Sequence, residues 1–332
     1  MLQRPRRNRR TSAIREMVQE THLDARHLVL PAFVHPHAEP HAISSMPGHS
    51  RLGIDGIVGL ARRAQALGVM GLALFPAIED GKKNSRGTEG ENSDGLLQQT
   101  IARLKQEVPD VMLFTDVALD PYSSDGHDGV LAGERIDNEL TLPILARMAV
   151  AQARAGTDFV APSDMMDGRV GALRRALDEA GFYEVGIMSY AVKYASAFYG
   201  PFRSALDSAP RVGDKKTYQM DPANVREALR EIALDTEEGA DFLMVKPGLP
   251  YLDVIRLVKE KSTLPVAAYH VSGEYAMLKA AAERGWIDYD RCLLESLMCL
   301  RRAGADVIFS YGALEAAELL QTQASNRPFR KS

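Results

Sequence analysis

Apolar residues in this chain fall into two arrangements that alternate along its length. Short, nearly continuous runs occur at LVLPAFV (28–34), GLALFP (71–76), VMLFTDV (111–117), DFVAP (158–162), VGIMSY (185–190), FLMVK (242–246), PVAAY (265–269) and DVIFSY (306–311). They lack the polar alternation of a strand with one wet face, so they read as strands buried on both sides, as in a parallel sheet. Between them apolar residues recur with helical spacing over 54–67, 95–108, 140–156, 168–181, 222–238, 251–261, 274–284 and 291–303. Several helices close on glycine just before the next strand, at Leu67-Gly68, Ala155-Gly156, Glu238-Gly239 and Ala303-Gly304, where a left-handed C-terminal turn suits a residue without Cβ.

Alternation of eight strands with helices predicts an α/β protein of the closed (β/α)8 TIM-barrel type. An open doubly wound sheet is the alternative, but it carries a glycine-rich phosphate turn after its first strand, and none follows residue 34. Residues 1–27 precede the first strand and include a charged helical piece from Thr11 to Gln19, so the expected layout is an N-terminal arm (1–27) and a barrel (28–332).

Composition adds constraints without changing that picture. The 332 residues are 45% hydrophobic and 25% charged with a net charge of −4, ordinary for a globular chain and without a general basic field for nucleic acid. Five arginines in the first ten residues make a local basic end, and a nucleic-acid role for it would show as salt-dependent binding. Cys292 and Cys299 lie seven apart in a helical stretch and read as small core residues, which fits a reducing compartment. No run of about 18 apolar residues suggests a membrane span, and no apolar segment follows the N-terminal charges as in a secretory signal, so the expected location is the cytoplasm.

In a barrel of this kind the chemistry sits at the C-terminal ends of the strands. Polar residues end otherwise apolar strands at Asp116, Lys193, Lys246 and Tyr311. Lys246 closes FLMV, where apolar walls would desolvate its ammonium and favour the neutral, nucleophilic amine. Lys193 lies just beyond the preceding strand in similar company, so each cation would discourage protonation of the other, unless one is simply paired with a carboxylate. The stretch TDVALDPYSSDGHDG (115–129) crowds Asp116, Asp120, Asp125 and Asp128 into one loop, which suits either a hard cation or acid/base work, although the spacing is not that of an EF-hand. His35, His37 and His41 in HPHAEPHA have ligand chemistry, but two prolines favour a polar loop, and GKKNSRG (81–87) lacks the Walker spacing.

The stretches TDVALDPYSSDGHDG, VAPSDMMDGR, MSYAVKYASAFYGPFR, YQMDPAN, MVKPGLPYLD, YHVSGEYAM and RRAGADVIFSY closely resemble the porphobilinogen synthase (5-aminolaevulinate dehydratase) family, over about residues 3–321. The resemblance implies condensation of two 5-aminolaevulinate molecules to porphobilinogen in haem and tetrapyrrole synthesis, with no organic cofactor. It implies an imine on Lys246 with the substrate that supplies the propionate side, and Lys193 as holder of the other substrate. Arg203 and Lys215 match a basic pair on the active-site lid that binds a substrate carboxylate; the family also shows arginine at the second position. Ser272 and Tyr311 match the residues that hold the other carboxylate, and Asp116 or Asp120 with water would serve as acid and base.

Zinc-dependent relatives carry three cysteines in the loop after the third strand, and the matching positions are Ala118, Asp120 and Asp128. The chain therefore resembles the zinc-independent, aspartate-rich branch, in which Glu231 matches the glutamate of a regulatory Mg2+ site. It departs from the family at Asp125, where histidine is common, and in RGTEGEN (86–92). The same resemblance implies a homo-oligomer, an octamer, with the arm wrapping a neighbour and covering Ile14, Met17, Val18 and Leu23. Two rival readings are an imine-forming aldolase, which needs one lysine and a phosphate-binding glycine turn that Val271-Ser-Gly does not supply, and a non-catalytic barrel serving as an assembly module.

Overall fold

A computed structural model of the chain describes residues 2–206 and 208–325. Its strands are β1 (Leu28–Val34), β2 (His41–Ala42), β3 (Ser50–Leu52), β4 (Gly71–Pro76), β5 (Met112–Val117), β6 (Val130–Ala132), β7 (Arg135–Asp137), β8 (Phe159–Pro162), β9 (Gly186–Lys193), β10 (Phe242–Lys246), β11 (Val266–His270) and β12 (Val307–Ser310). Eight of them pair in the order β1-β4-β5-β8-β9-β10-β11-β12, and β12 pairs back with β1 through Leu28↔Ile308 and Val29↔Phe309. All eight pairings in this ring are parallel. The closed TIM barrel expected from the apolar runs is the fold, and each run overlaps a barrel strand.

Closure explains why the strands show no polar alternation. Leu28, Leu30, Ala32 and Val34 belong to the cluster between barrel and helices, whereas Val29 and Phe33 belong to the one that fills the barrel. Each pleat therefore meets an apolar environment, and burying one such side chain contributes about 1.5–3 kcal/mol. Aromatic rings fill the lower interior: Phe114 lies 5.1 Å from Phe159 and 5.2 Å from Phe309, centre to centre. Gly186 leaves room for this layer, since a Cβ there would sit 2.2 Å from the Phe159 ring.

The outer layer comprises α2 (Ile54–Ala66), α3 (Leu96–Glu107), α4 (Asn138–Ala155), α5 (Arg169–Glu179), α7 (Glu227–Glu237), α8 (Leu252–Lys261), α9 (Ser272–Glu283), α10 (Tyr289–Ala303) and α11 (Ala313–Ser325). Two short helices, α1 (Ser12–Met17) in the arm and α6 (Gly200–Leu206) above the barrel, lie outside it. Gly68, Gly156, Gly239 and Gly304 have φ between 79° and 125°, so the four glycines before strands make the expected turns. The helix expected over 222–238 starts only at Glu227, because the Asp221 side chain accepts from the Ala223 amide and its carbonyl accepts from the Asn224 amide, turning the chain at Pro222. The helix α11 follows the last apolar run and was not anticipated. Cys292 and Cys299 are half-buried on α10 rather than core residues.

Insertions at the C-terminal rim distinguish this barrel from a bare one. An antiparallel hairpin, β2–β3, lies beside the end of β1, and a second, β6–β7, precedes α4. The 86–92 segment is held to α4 by a two-pronged ion pair from Arg147 to Glu91 at 2.7 and 3.0 Å. In the arm, Thr11 caps α1 by accepting from the Ile14 amide; Met17 and Val18 are exposed, Ile14 is half-buried, and Leu23 packs against the barrel's own core. Leu23 thus is not among the wet residues of the arm.

Outside the barrel wall, Arg169 at the start of α5 is 2% exposed and donates to both carboxylate oxygens of Asp235 on α7, at 2.9 and 3.1 Å. Ser189 of β9 joins them. Arg169→Met leaves the Asp235 charge buried without its partner and is expected to cost about 3–5 kcal/mol. The double substitution Arg169→Met/Asp235→Leu should recover most of the loss in urea unfolding followed by circular dichroism; equal stability of the single variant and the parent would contradict this.

Candidate active site

Parallel register places the two lysines side by side. Lys193 ends β9, Lys246 ends β10, and they are direct partners across that pairing. Both are 6% exposed, yet they have different neighbours. The Lys246 ammonium position is walled by aromatic rings, 4.7 Å from the centre of Tyr269, 5.1 Å from Tyr190 and Tyr199, and 5.2 Å from Phe202. Burial lowers its pKa to about 7, assisted by the Lys193 charge and opposed by Asp116, Asp120 and Asp128. Ring faces attract a cation, but the loss of hydration outweighs that attraction.

Lys193 instead donates to Asp128 at 3.0 Å and to the Ser163 carbonyl. Lys193 is ion-paired, the alternative that the strand ends alone left open. Asp128 is fully buried and also accepts from Lys215. Burial alone would raise its pKa, but the two lysines outweigh it and hold the carboxyl near 2, so Asp128 stays ionised. Sequence reading had no access to this junction, since Asp128, Lys193 and Lys215 are far apart in the chain.

Asp116, ending β5, has the opposite character. Burial first and then the Asp120 charge raise its pKa to about 7, and its Oδ1 is buried without a hydrogen-bond partner. Such a carboxyl can hold or release a proton near neutrality. Asp120 is spoken for, accepting from Lys215 at 3.2 Å. Asp125 is not in this cluster of charges; its carbonyl accepts from the Arg211 amide.

The segment after α6 closes over the acidic loop. His127 contacts the Val212 carbonyl at 2.8 Å and the Tyr218 hydroxyl at 3.1 Å, and Gly126 abuts the Ala209 carbonyl so closely that a Cβ would lie 2.2 Å from it. Lys215 enters through this closure and is 6% exposed, so it is a buried counter-ion here rather than a free cation on a lid. Arg203 on α6 is half-buried with its guanidinium 5.9 Å from the Tyr199 ring. Ser272 accepts from the Phe202 amide at 3.0 Å, which ties α9 to α6, and Tyr311 shares a 3.1 Å hydrogen bond with Tyr269. The ring of Tyr269 touches both halves of the site.

Sequence reading also missed the aromatic walls and Glu274, whose carboxylate accepts from the amides of Gly248, Leu249 and Val271 and so fixes the turn behind Lys246. Glu231 is not a solitary exposed residue: it lines a cleft of about 570 Å3 with Asp167 and Glu227, and burial followed by the Asp235 and Asp167 charges raises its pKa to about 7 against the pull of Arg169. Among the described residues no three His, Cys, Asp or Glu side chains are arranged to hold a metal ion.

An aromatic-walled amine beside an ion-paired one, with a protonatable carboxyl facing them, is machinery for carbonyl chemistry through imines. A sequence profile of the family described as Delta-aminolevulinic acid dehydratase matches residues 2–319. The chain belongs to this family. It is 56% identical over 319 residues to the chloroplastic delta-aminolevulinic acid dehydratase of Selaginella martensii, covering 96% of this chain and 76% of that one. Against delta-aminolevulinic acid dehydratase 1 of Arabidopsis thaliana, also chloroplastic, identity is 57% over 319 residues, covering 96% and 74%. The crystal structure of the Toxoplasma gondii dehydratase in complex with the reaction product porphobilinogen superposes with a TM-score of 0.97 at 51% identity, covering 100% of this chain and 96% of that one.

These dehydratase relatives overturn the cytoplasmic expectation, since the curated plant sequences are named chloroplastic. The argument from the N-terminus failed because an apolar segment marks secretion only, whereas organelle-directing segments are arginine-rich and acid-poor. No described helix is long and apolar enough to cross a membrane.

Because its pKa is near 7, Lys246 should react with cyanate at neutral pH while exposed lysines remain protonated. Its carbamylation rate should rise with pH and reach half its limit near pH 7, as the ammonium gives way to the amine. Peptide mapping that found Lys193 or Lys215 modified ahead of Lys246 would contradict the assignment of charges.

Proposed function

We propose that this dehydratase-family chain condenses two 5-aminolaevulinate molecules into porphobilinogen with release of two waters, a lyase reaction that feeds tetrapyrrole synthesis. The observation that carries this reading is the contrast between the two register-paired lysines, one held near neutrality by aromatic walls and one clamped as a cation. Agreement in sequence and fold with dehydratases of plants and Toxoplasma supports it.

In this reading Lys246 attacks a substrate ketone as the free amine, and loss of water with a proton supplied by Asp116 leaves an iminium that drains electrons from the neighbouring carbon. Lys193 takes the second substrate. A protonated imine there keeps the positive charge, so the ion pair with Asp128 survives the condensation. Asp116, near its midpoint at pH 7, moves protons between substrate carbon, amine and departing water. Asp120 acts through Lys215, which it holds. Arg203 and Lys215 bind one substrate carboxylate, with Lys215 trading part of its bond to the loop for the ligand. Ser272 and Tyr311 bind the other.

The same reading places the chain in the zinc-independent branch. Ala118 offers no ligand, and Asp120 and Asp128 already neutralise Lys215 and Lys193. Glu231 suits Mg2+, which takes one carboxylate and keeps most of its waters; its raised pKa marks a carboxylate whose charge lacks full compensation. A bound Mg2+ would supply that compensation and favour the assembled form. The assembly is a homo-oligomer, an octamer, in which the arm of residues 1–27 lies on a neighbouring barrel and covers Met17 and Val18, 85% and 50% exposed in the single chain.

Borohydride added with 5-aminolaevulinate should fix substrate covalently to Lys246 and less completely to Lys193, and Lys246→Ala should abolish turnover. Trapping confined to any other lysine would end the imine assignment. Arg203→Ala should raise KM more than it lowers kcat, because its role is in binding; a change in kcat alone would contradict that. Zinc-selective chelators should leave activity largely intact, and removal of Mg2+ should shift the light-scattering mass downward in the parent but not in Glu231→Ala. Deleting residues 1–27 should give a smaller species, and full assembly of the truncated chain would refute the role of the arm.

A further inference from the structure

Three histidines that play no part in the chemistry above meet at the rim beside β1. His35 directly follows the strand and is 3% exposed, while His37 and His41 come from the turn that leads into the β2–β3 hairpin. The ring centres are 4.7 Å apart for His35 and His41, 5.3 Å for His35 and His37, and 5.6 Å for His37 and His41. Imidazoles bound through nitrogen to one tetrahedral ion, at metal–nitrogen distances of about 2.0–2.1 Å, have ring centres roughly 5 Å apart. Glu79, from the loop after β4, brings a carboxylate oxygen within 3.9 Å of His37 Nε2.

Two further features point to a ligand. His35 is 3% exposed, and its Nε2 is buried without a hydrogen-bond partner among the described residues. A buried imidazole nitrogen left without a partner has its lone pair or its proton unused, and a metal ion would engage the lone pair. The three rings also line one cleft of about 260 Å3 together with Glu79 and Asp80. The two cations that line the cleft have partners: Arg51 donates to the carbonyls of Ser204 and Ala205, and Lys83 pairs with Asp80 at 3.1 Å.

We propose that His35, His37, His41 and Glu79 form a site for one zinc-class divalent ion on the rim, separate from the lysines and from Glu231. In the unbound arrangement the nitrogens do not yet converge. His37 and Glu79 are about half exposed and His41 is exposed, so their rings and carboxylate turn inward at the expense of side-chain entropy, while His35 is already set. Borderline-soft imidazole donors with a single carboxylate suit Zn2+, and exclude Mg2+, which prefers oxygen. A bound ion would join the loops after β1 and β4 against Ala205 and Leu206 of α6, and so stiffen the base of that helix.

The test titrates the full-length protein, with Mg2+ present to occupy oxygen sites, using Co2+ read by visible absorption and Zn2+ read by competition with a chromogenic chelator. One Co2+ per chain with the intense d–d bands of tetrahedral nitrogen coordination is expected, displaced by Zn2+. His37→Gln and His41→Gln, both on exposed side chains, should each weaken Zn2+ binding at least tenfold and remove the upward shift of Tm that Zn2+ produces in the parent. His35→Gln should abolish binding. Unchanged affinity in the His37 and His41 variants, weak octahedral Co2+ bands, or loss of Zn2+ binding only in Glu231→Ala would overturn the site.

Discussion

One buried carboxylate sets the electrical state of the active site. Asp128 accepts from Lys193 and Lys215 together, and a carboxylate so placed cannot take up a proton at physiological pH. Among the described residues Lys246 has no carboxylate in direct contact and faces aromatic rings instead, so the more distant aspartates compensate its charge only in part. The distinction between a nucleophile and a cation, on two lysines that are neighbours in register, follows from which of them the carboxylate reaches. Removing that one oxygen pair would leave three amines in competition for too little negative charge.

Much of this frame was legible in the chain itself, for a physical reason. A closed parallel barrel buries both faces of every strand, so its strands stand out as unbroken apolar runs, and the first polar residue after such a run marks the catalytic end. Lys246, Lys193, Asp116 and Tyr311 were singled out in that way, and the structure sets all four at the C-terminal rim of the barrel. Pairings across the rim were not legible, because they join loops distant in sequence: Asp128 with Lys215, Ser272 with Phe202, Glu274 with the turn after Lys246. Spacing arguments describe local periodicity and are blind to such closures, as they were to Leu23, which folds back on the barrel, and to the Asp221 turn that delays α7.

The histidine-rich turn shows the same limit from the other side. Prolines at 36 and 40 argue for irregular backbone, and the backbone is irregular there, yet three histidine rings line one cleft beside it. Composition described the loop and missed that its rings share a cleft. His35 owes its burial to the strand that ends just before it, an element whose extent was read correctly. Structure at the rim is thus inherited from the wall beneath it.

The passage of Lys215 under the closing segment has an evolutionary consequence. Because Lys215 is shared by Asp120 and Asp128, the three positions form one electrostatic unit, though 87 residues separate its ends on the Asp128 side. A lineage that exchanges these carboxylates for thiolates must at the same time find new lodging for the cation, or recruit a metal to replace its charge. Intermediates that change one member alone carry a buried, unmatched charge. Substitution at any one of the three positions is therefore constrained by the other two.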